Sequence, residues 1–222
     1  VIRGTSNSLV RSYLVLRKAV GALGISLPIA LPLGVAVLAP EEGWQPTISD
    51  YVDTVMGGVF IGVLFAIGVF LVFYVGYEAD PGEPWFLPSD KVASNIAGGF
   101  AVGVALFPTT SSVGFVQGVH MVSAALLFLT LAYISLWLFT KHSGEPSPEK
   151  LVRNRIYRIC GFTILGCIVL IGIHGWLFRD TSIADLNPVF WLEAVAMWAF
   201  GIAWFVKGEG LAPVNDGHHQ TA

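Results

Sequence analysis

Residues 92–140 read VASNIAGGFAVGVALFPTTSSVGFVQGVHMVSAALLFLTLAYISLWLFT, a run of 49 residues without one Asp, Glu, Lys or Arg. A helix that crosses a bilayer needs about 20 apolar residues, so this run has room for two. Its middle is Pro108-Thr-Thr-Ser-Ser-Val-Gly114, a cluster of turn formers. The stretch therefore reads as two antiparallel spanning helices joined by a short polar turn.

Further apolar stretches lie at 19–40, 54–77 and 159–178, and a last one at 188–206 holds a single charge, Glu193. The expectation is an all-α membrane protein, a six-helix transmembrane bundle. Its helices fall at about 19–39, 54–77, 92–108, 117–140, 157–178 and 189–207. Composition agrees: 55% of the 222 residues are hydrophobic, 12% are charged, and the mean hydropathy is +0.71. So little charge cannot cover a water-facing surface, which excludes a soluble domain and a disordered chain. A net charge of −3 gives no global field for nucleic acid, so none is expected as a partner.

The basic residues set the expected orientation. Eleven of the twelve fall before helix 1, between helices 2 and 3, between or just inside helices 4 and 5, or at the end of helix 6, where Lys207 stands. The opposite side holds only Arg179. The positive-inside rule places both termini in the cytoplasm. Residues 1–18 read as a basic cytoplasmic segment, in part an interfacial amphipathic helix. Residues 19–207 read as the transmembrane domain and 208–222 as a polar cytoplasmic tail. Trp137 and Trp204 at inner helix ends, and Trp176 and Trp191 at outer ends, suit headgroup-level anchors.

Some features read as packing. Pro28 and Pro32 are expected to bend helix 1. Gly58/Gly62 and Gly99/Gly103 are small-xxx-small pairs that allow close helix approach. Cys160 and Cys167 are separated by roughly 10 Å of helix rise, too far for a disulfide.

Ionisable groups inside a span are candidates for function. Counting along the helices puts His120, His174 and Glu193 at a common depth, roughly 6 Å below the outer boundary at 1.5 Å per residue. Asp50 and Asp53, just before helix 2, and the Thr109–Ser112 turn approach the same level. Several readings of this cluster stand open. As interfacial polar residues, the three would hydrogen-bond one another, the loops or lipid headgroups. As a metal site, His120, His174 and Glu193 would bind zinc, and Asp50 or Asp53 would act as base in hydrolysis of a membrane lipid. As a bis-His pair at matched depth, His120 and His174 would ligate haem b or a pigment, in an accessory subunit of a membrane complex. Transport has less support, because no charged residue outside helix 6 lies within a span. Asp50, Asp53 or Thr54 could equally cap helix 2.

Three stretches together resemble a group of uncharacterised bacterial multi-spanning membrane proteins. They are Thr47-Ile-Ser-Asp-Tyr-Val-Asp-Thr54, Val119-His-Met-Val-Ser-Ala-Ala125, and Phe190-Trp-Leu-Glu193 with Trp204-Phe-Val-Lys-Gly208. In the relatives the first stretch reads Ser-Ile-Ser-x-Tyr-Tyr-x-Thr-x-Met-Arg-Asp, and here Gly57-Gly58 stand in place of the Arg-Asp. The resemblance implies a bacterial inner membrane. It points to Ser49, Tyr51, Thr54, His120 and Glu193 as family-like polar positions, and His174 is outside the pattern. Ser123, which shares a broad face of helix 4 with His120, completes the expected polar pocket. The expected function is that of a binding or accessory membrane protein with an outer-leaflet polar pocket, with membrane lipid and other membrane subunits as its candidate partners.

Overall fold

The computed structural model describes residues 3–76, 87–142, 144–178 and 181–211, with side chains from residue 10 onward. The described residues form six α-helices: α1 Arg3–Leu38, α2 Gly57–Val72, α3 Asp90–Leu106, α4 Gly114–Tyr133, α5 Pro148–Ile173 and α6 Pro188–Lys207. No strand occurs among the described residues. Single π-helical turns, Ile134–Leu138 and His174–Phe178, extend α4 and α5. Four of the helices are long and apolar enough to cross a membrane: Val10–Leu38, Gly114–Leu138, Pro148–Phe178 and Pro188–Lys207.

The remaining two are shorter. At 1.5 Å per residue, the 16 residues of α2 and 17 of α3 run about 24 and 26 Å, just under the ~30 Å hydrocarbon core. Helix 2 was expected over 54–77 and starts later because residues 49–53 form a 3-10 turn that folds over the helix ends. Helix 1 was expected from residue 19 and instead runs unbroken from Arg3, through Pro28 and Pro32. The first basic residues are thus an extension of the spanning helix. Helix 5 likewise begins at Pro148. Ser147 caps it by accepting from the Lys150 N–H at 3.1 Å, with Pro148 suited to the first turn. Apolar periodicity misses such charged helix ends. The Arg179 position, residues 77–86 and the tail from residue 212 lie outside the described residues.

Each helix packs on its neighbours in sequence, and α6 closes back onto α1. Glycines mark two of the closest crossings. A Cβ on Gly201 would stand 2.6 Å from the Gly21 carbonyl oxygen, and one on Gly98 would stand 2.6 Å from that of Gly68. The expected pairs are corrected in register. Gly58, Gly62 and Gly99 face open space, and Gly103 meets the Ser123 hydroxyl. The buried small seam of α3 is Ala93, Ser94, Ala97, Gly98 and Ala101, so the glycine that lies against α2 is Gly98. Trp198 ties α6 to α1 by donating from Nε1 to the Ile25 carbonyl at 3.1 Å. Cys160 and Cys167 are buried and unbridged.

Candidate functional site: a cleft at one end of the helices

The site is built from the loop between α1 and α2. After α1, Gly43 takes a positive φ of 67° and turns the chain back over the helix ends. Trp44 then packs edge-on against Phe190, 4.7 Å between centroids, and stacks on Trp191 at 5.6 Å. The Phe190 N–H donates to the Pro46 carbonyl at 3.1 Å. Ile48, Ser49 and Tyr51 are buried beneath this loop.

Two ionisable side chains hold the loop in place. Glu193, on α6, accepts the Ile48 N–H through Oε2 at 2.7 Å. His120, on α4, is 2% exposed and engaged at both nitrogens. Its Nδ1 lies 2.6 Å from the Phe107 carbonyl oxygen, and its Nε2 lies 3.0 Å from Ser49 Oγ. A carbonyl only accepts, so Nδ1 carries the hydrogen and, in the neutral ring, Nε2 accepts from the Ser49 hydroxyl. Asp50 is drawn in as well, with Oδ1 accepting from the Thr109 hydroxyl at 2.8 Å. Three connections are thus pinned together: the α1–α2 loop, the α3–α4 turn and the start of α6.

His120 and Glu193 also line a cleft of about 760 Å³ between α4, α5 and α6, together with His174, Thr47 and Thr109. Most of its wall is apolar, including Met121, Phe128, Ile168 and Val189. The glycines of α5 show how it opens. A Cβ on Gly161 would meet Leu136 at 2.4 Å, so the π-helical end of α4 and α5 touch there, whereas Gly172 and Gly175 have open space around them. Towards the cleft the two helices leave room. The Nε2 of His174 is buried and has no hydrogen-bond partner among the described residues. It is a polar atom without its usual satisfaction in a mostly apolar recess.

The other expected residues sit elsewhere. Asp53 is exposed at the end of the 3-10 turn. Tyr51 is fully buried in the loop, and its hydroxyl accepts weakly from the Gln45 N–H at 3.4 Å. Burial pushes the Tyr51 phenol above its ordinary value, against a smaller opposing effect of that hydrogen bond. Thr54 donates to the Tyr51 carbonyl and accepts from the Met56 N–H, so it shapes the turn that leads into α2. Helix 2 itself takes no side-chain cap. Ser123 packs at the α3–α4 crossing against Gly103. None of Ser49, Asp50, Tyr51, Asp53, Thr54 or Ser123 lines the cleft. The groups missed from the sequence are the Phe107 carbonyl and the Ile48 N–H, because backbone atoms carry no residue signature.

This arrangement does not suit the metal and haem readings. Both His120 nitrogens are already hydrogen-bonded, so neither offers a free lone pair to zinc or haem iron. Among the described residues no three of His, Cys, Asp and Glu are grouped as a metal ion requires. No family model, curated protein or solved structure matches the chain.

Proposed function

We propose that this is a six-span protein of the bacterial inner membrane, with both termini cytoplasmic, that binds a membrane lipid in the cleft between α4, α5 and α6. It acts as a binding or accessory protein, alone or beside other membrane subunits. The observation that carries this reading is the make-up of the cleft. Phe128 and Ile168 line its deeper part along α4 and α5, and Thr47, Thr109, His120, His174 and Glu193 gather nearer the helix ends. Such a gradient fits an amphipathic molecule, with chain on the wall and headgroup at the polar end. Glu193 keeps lone pairs not used by Ile48 for that headgroup, and the buried His174 Nε2, without a partner among the described residues, adds a polar atom at the same end. Positive-inside charge supports the orientation, which puts the cleft in the outer leaflet. The four long apolar helices support residence in a membrane, and α2 and α3 complete six spans with a slightly thinned bilayer or polar ends.

Native mass spectrometry of the protein in mild detergent tests this. Wild type is expected to retain one lipid mass. Ala125→Trp, which fills the cleft from an exposed lining position, is expected to lose it while remaining folded. Equal lipid retention in both proteins, or none in wild type, contradicts the proposal.

A further inference from the structure

The polar end of the cleft between α4, α5 and α6 presents hydrogen-bond acceptors more than donors. Glu193 uses Oε2 on the Ile48 N–H, and its Oε1 has no hydrogen-bond partner among the described residues. The Thr109 hydroxyl gives its one hydrogen to Asp50 Oδ1 at 2.8 Å, so only its lone pairs are left for a ligand. A second carboxylate thus stands directly behind Thr109. The Thr47 hydroxyl accepts from the Asp50 N–H at 3.1 Å and keeps one hydrogen to donate. Both His120 nitrogens are engaged, by the Phe107 carbonyl and the Ser49 hydroxyl. The His174 ring can act in either sense, according to its tautomer. Among the described residues no Lys or Arg lines the cleft.

This inventory sorts headgroups by their chemistry. A phosphate brings acceptors and negative charge to a place already supplied with both, which is repulsive at short range. A primary ammonium brings three donors and a positive charge. Its N–H bond to a carboxylate is charge-assisted, roughly twice as strong as a neutral hydrogen bond. A quaternary ammonium keeps the charge but has no N–H to give, and a hydroxyl has a donor but no charge. The deeper wall decides between a lipid and a free amine. Phe128 lies eight residues along α4 from His120, and Ile168 lies six residues before His174 on the α5 side, about 12 and 9 Å along the helices. An apolar wall of that depth suits a lipid chain.

We propose that the cleft selects a lipid whose headgroup ends in a primary ammonium, with Glu193 Oε1 as its anionic partner, resting on the lipid-binding reading of the same cleft. The test is native mass spectrometry of the full chain in neutral detergent with an equimolar mixture of phosphatidylethanolamine, phosphatidylcholine and phosphatidylglycerol of equal chain length. Wild type is expected to retain phosphatidylethanolamine over each of the others by about tenfold or more. Glu193→Gln keeps an acceptor for the Ile48 N–H but removes the charge, and is expected to bring the three lipids to within about threefold of one another. The ratio is read within one sample, so the amount of folded protein cancels. Asp53→Asn alters an exposed carboxylate outside the cleft and is expected to keep the wild-type ratio. Lipid retention without preference for phosphatidylethanolamine overturns this selectivity and leaves the lipid cleft standing, whereas no retained lipid in wild type overturns both. An unchanged ratio in Glu193→Gln, or an equal loss in Asp53→Asn, also overturns the role of Glu193. Ethanolamine that competes as well as the lipid makes the ligand a soluble amine and contradicts the proposal.

Discussion

Ser49 Oγ lies 3.0 Å from His120 Nε2, joining a loop to a helix across 71 positions of sequence. With Nδ1 held by the Phe107 carbonyl at 2.6 Å, the imidazole is a clasp between two connections. His120→Ala takes their partner from the buried Ser49 hydroxyl and the part-buried Phe107 carbonyl and opens a void. Its expected cost is about 2–4 kcal/mol. Ser49→Ala removes one bond and costs about 1–2 kcal/mol. Unfolding in detergent, followed by the tryptophan signal, measures both. If the clasp is real, the double variant costs less than the sum of the singles. Strict additivity denies the contact.

Glu193 accepts a backbone N–H, a role that an amide oxygen also fills. Glu193→Gln is expected to keep the loop anchored, and Glu193→Ala to release it. Hydrogen exchange at the Ile48 amide separates the two. It stays slow in the Gln variant and speeds up in the Ala variant by about tenfold or more, the loss of a bond worth roughly 1.5–3 kcal/mol when one partner is charged. Equal exchange in both variants contradicts the anchoring role.

The helix crossings distinguish neighbouring glycines. At Gly98 a Cβ would press on the Gly68 carbonyl, and at Gly99 it would meet nothing. Gly98→Ala is expected to cost about 1–3 kcal/mol. Gly99→Ala is expected to be neutral or to gain up to about 1 kcal/mol, since alanine suits a helix interior better than glycine. Thermal unfolding of the two variants side by side decides it.

That register shows how far the sequence could be read. The six helices were legible because long uncharged stretches have few other uses, and the Pro108–Gly114 break divided the longest one. The common level of His120 and Glu193 followed from counting residues along alternating helices. Packing faces were less legible. Gly98 and Gly99 are equally small, and only the contact with α2 tells them apart. The true starts of α1 and α5 were hidden because their first turns are charged. The loop that covers the cleft was hidden because its anchors are backbone groups of Ile48 and Phe107.

Tyr51 gives a pH dependence. Burial raises its folded-state pKa above the ordinary value near 10. The neutral phenol is therefore the form that the fold favours. Its contribution is fully present below about pH 10 and is lost as pH rises through the higher folded-state value. Tyr51→Phe removes this ionisation and only a 3.4 Å hydrogen bond, at an expected cost below about 1 kcal/mol near neutral pH. Stability measured between about pH 9 and 11 should fall less steeply for Tyr51→Phe than for wild type. Identical slopes refute the assignment.

The outer-leaflet placement of the cleft rests on which end of the helices faces outward. Single cysteines at Ser111, in the turn before α4, and at Glu145, in the connection that leads into α5, report it directly in intact cells. The native Cys160 and Cys167 are buried and give a low background. A membrane-impermeant maleimide is expected to label the cysteine at 111 at once and the one at 145 only after the membrane is opened. Labelling of 145 from outside, with 111 protected, would invert the molecule and contradict the outer-leaflet lipid cleft.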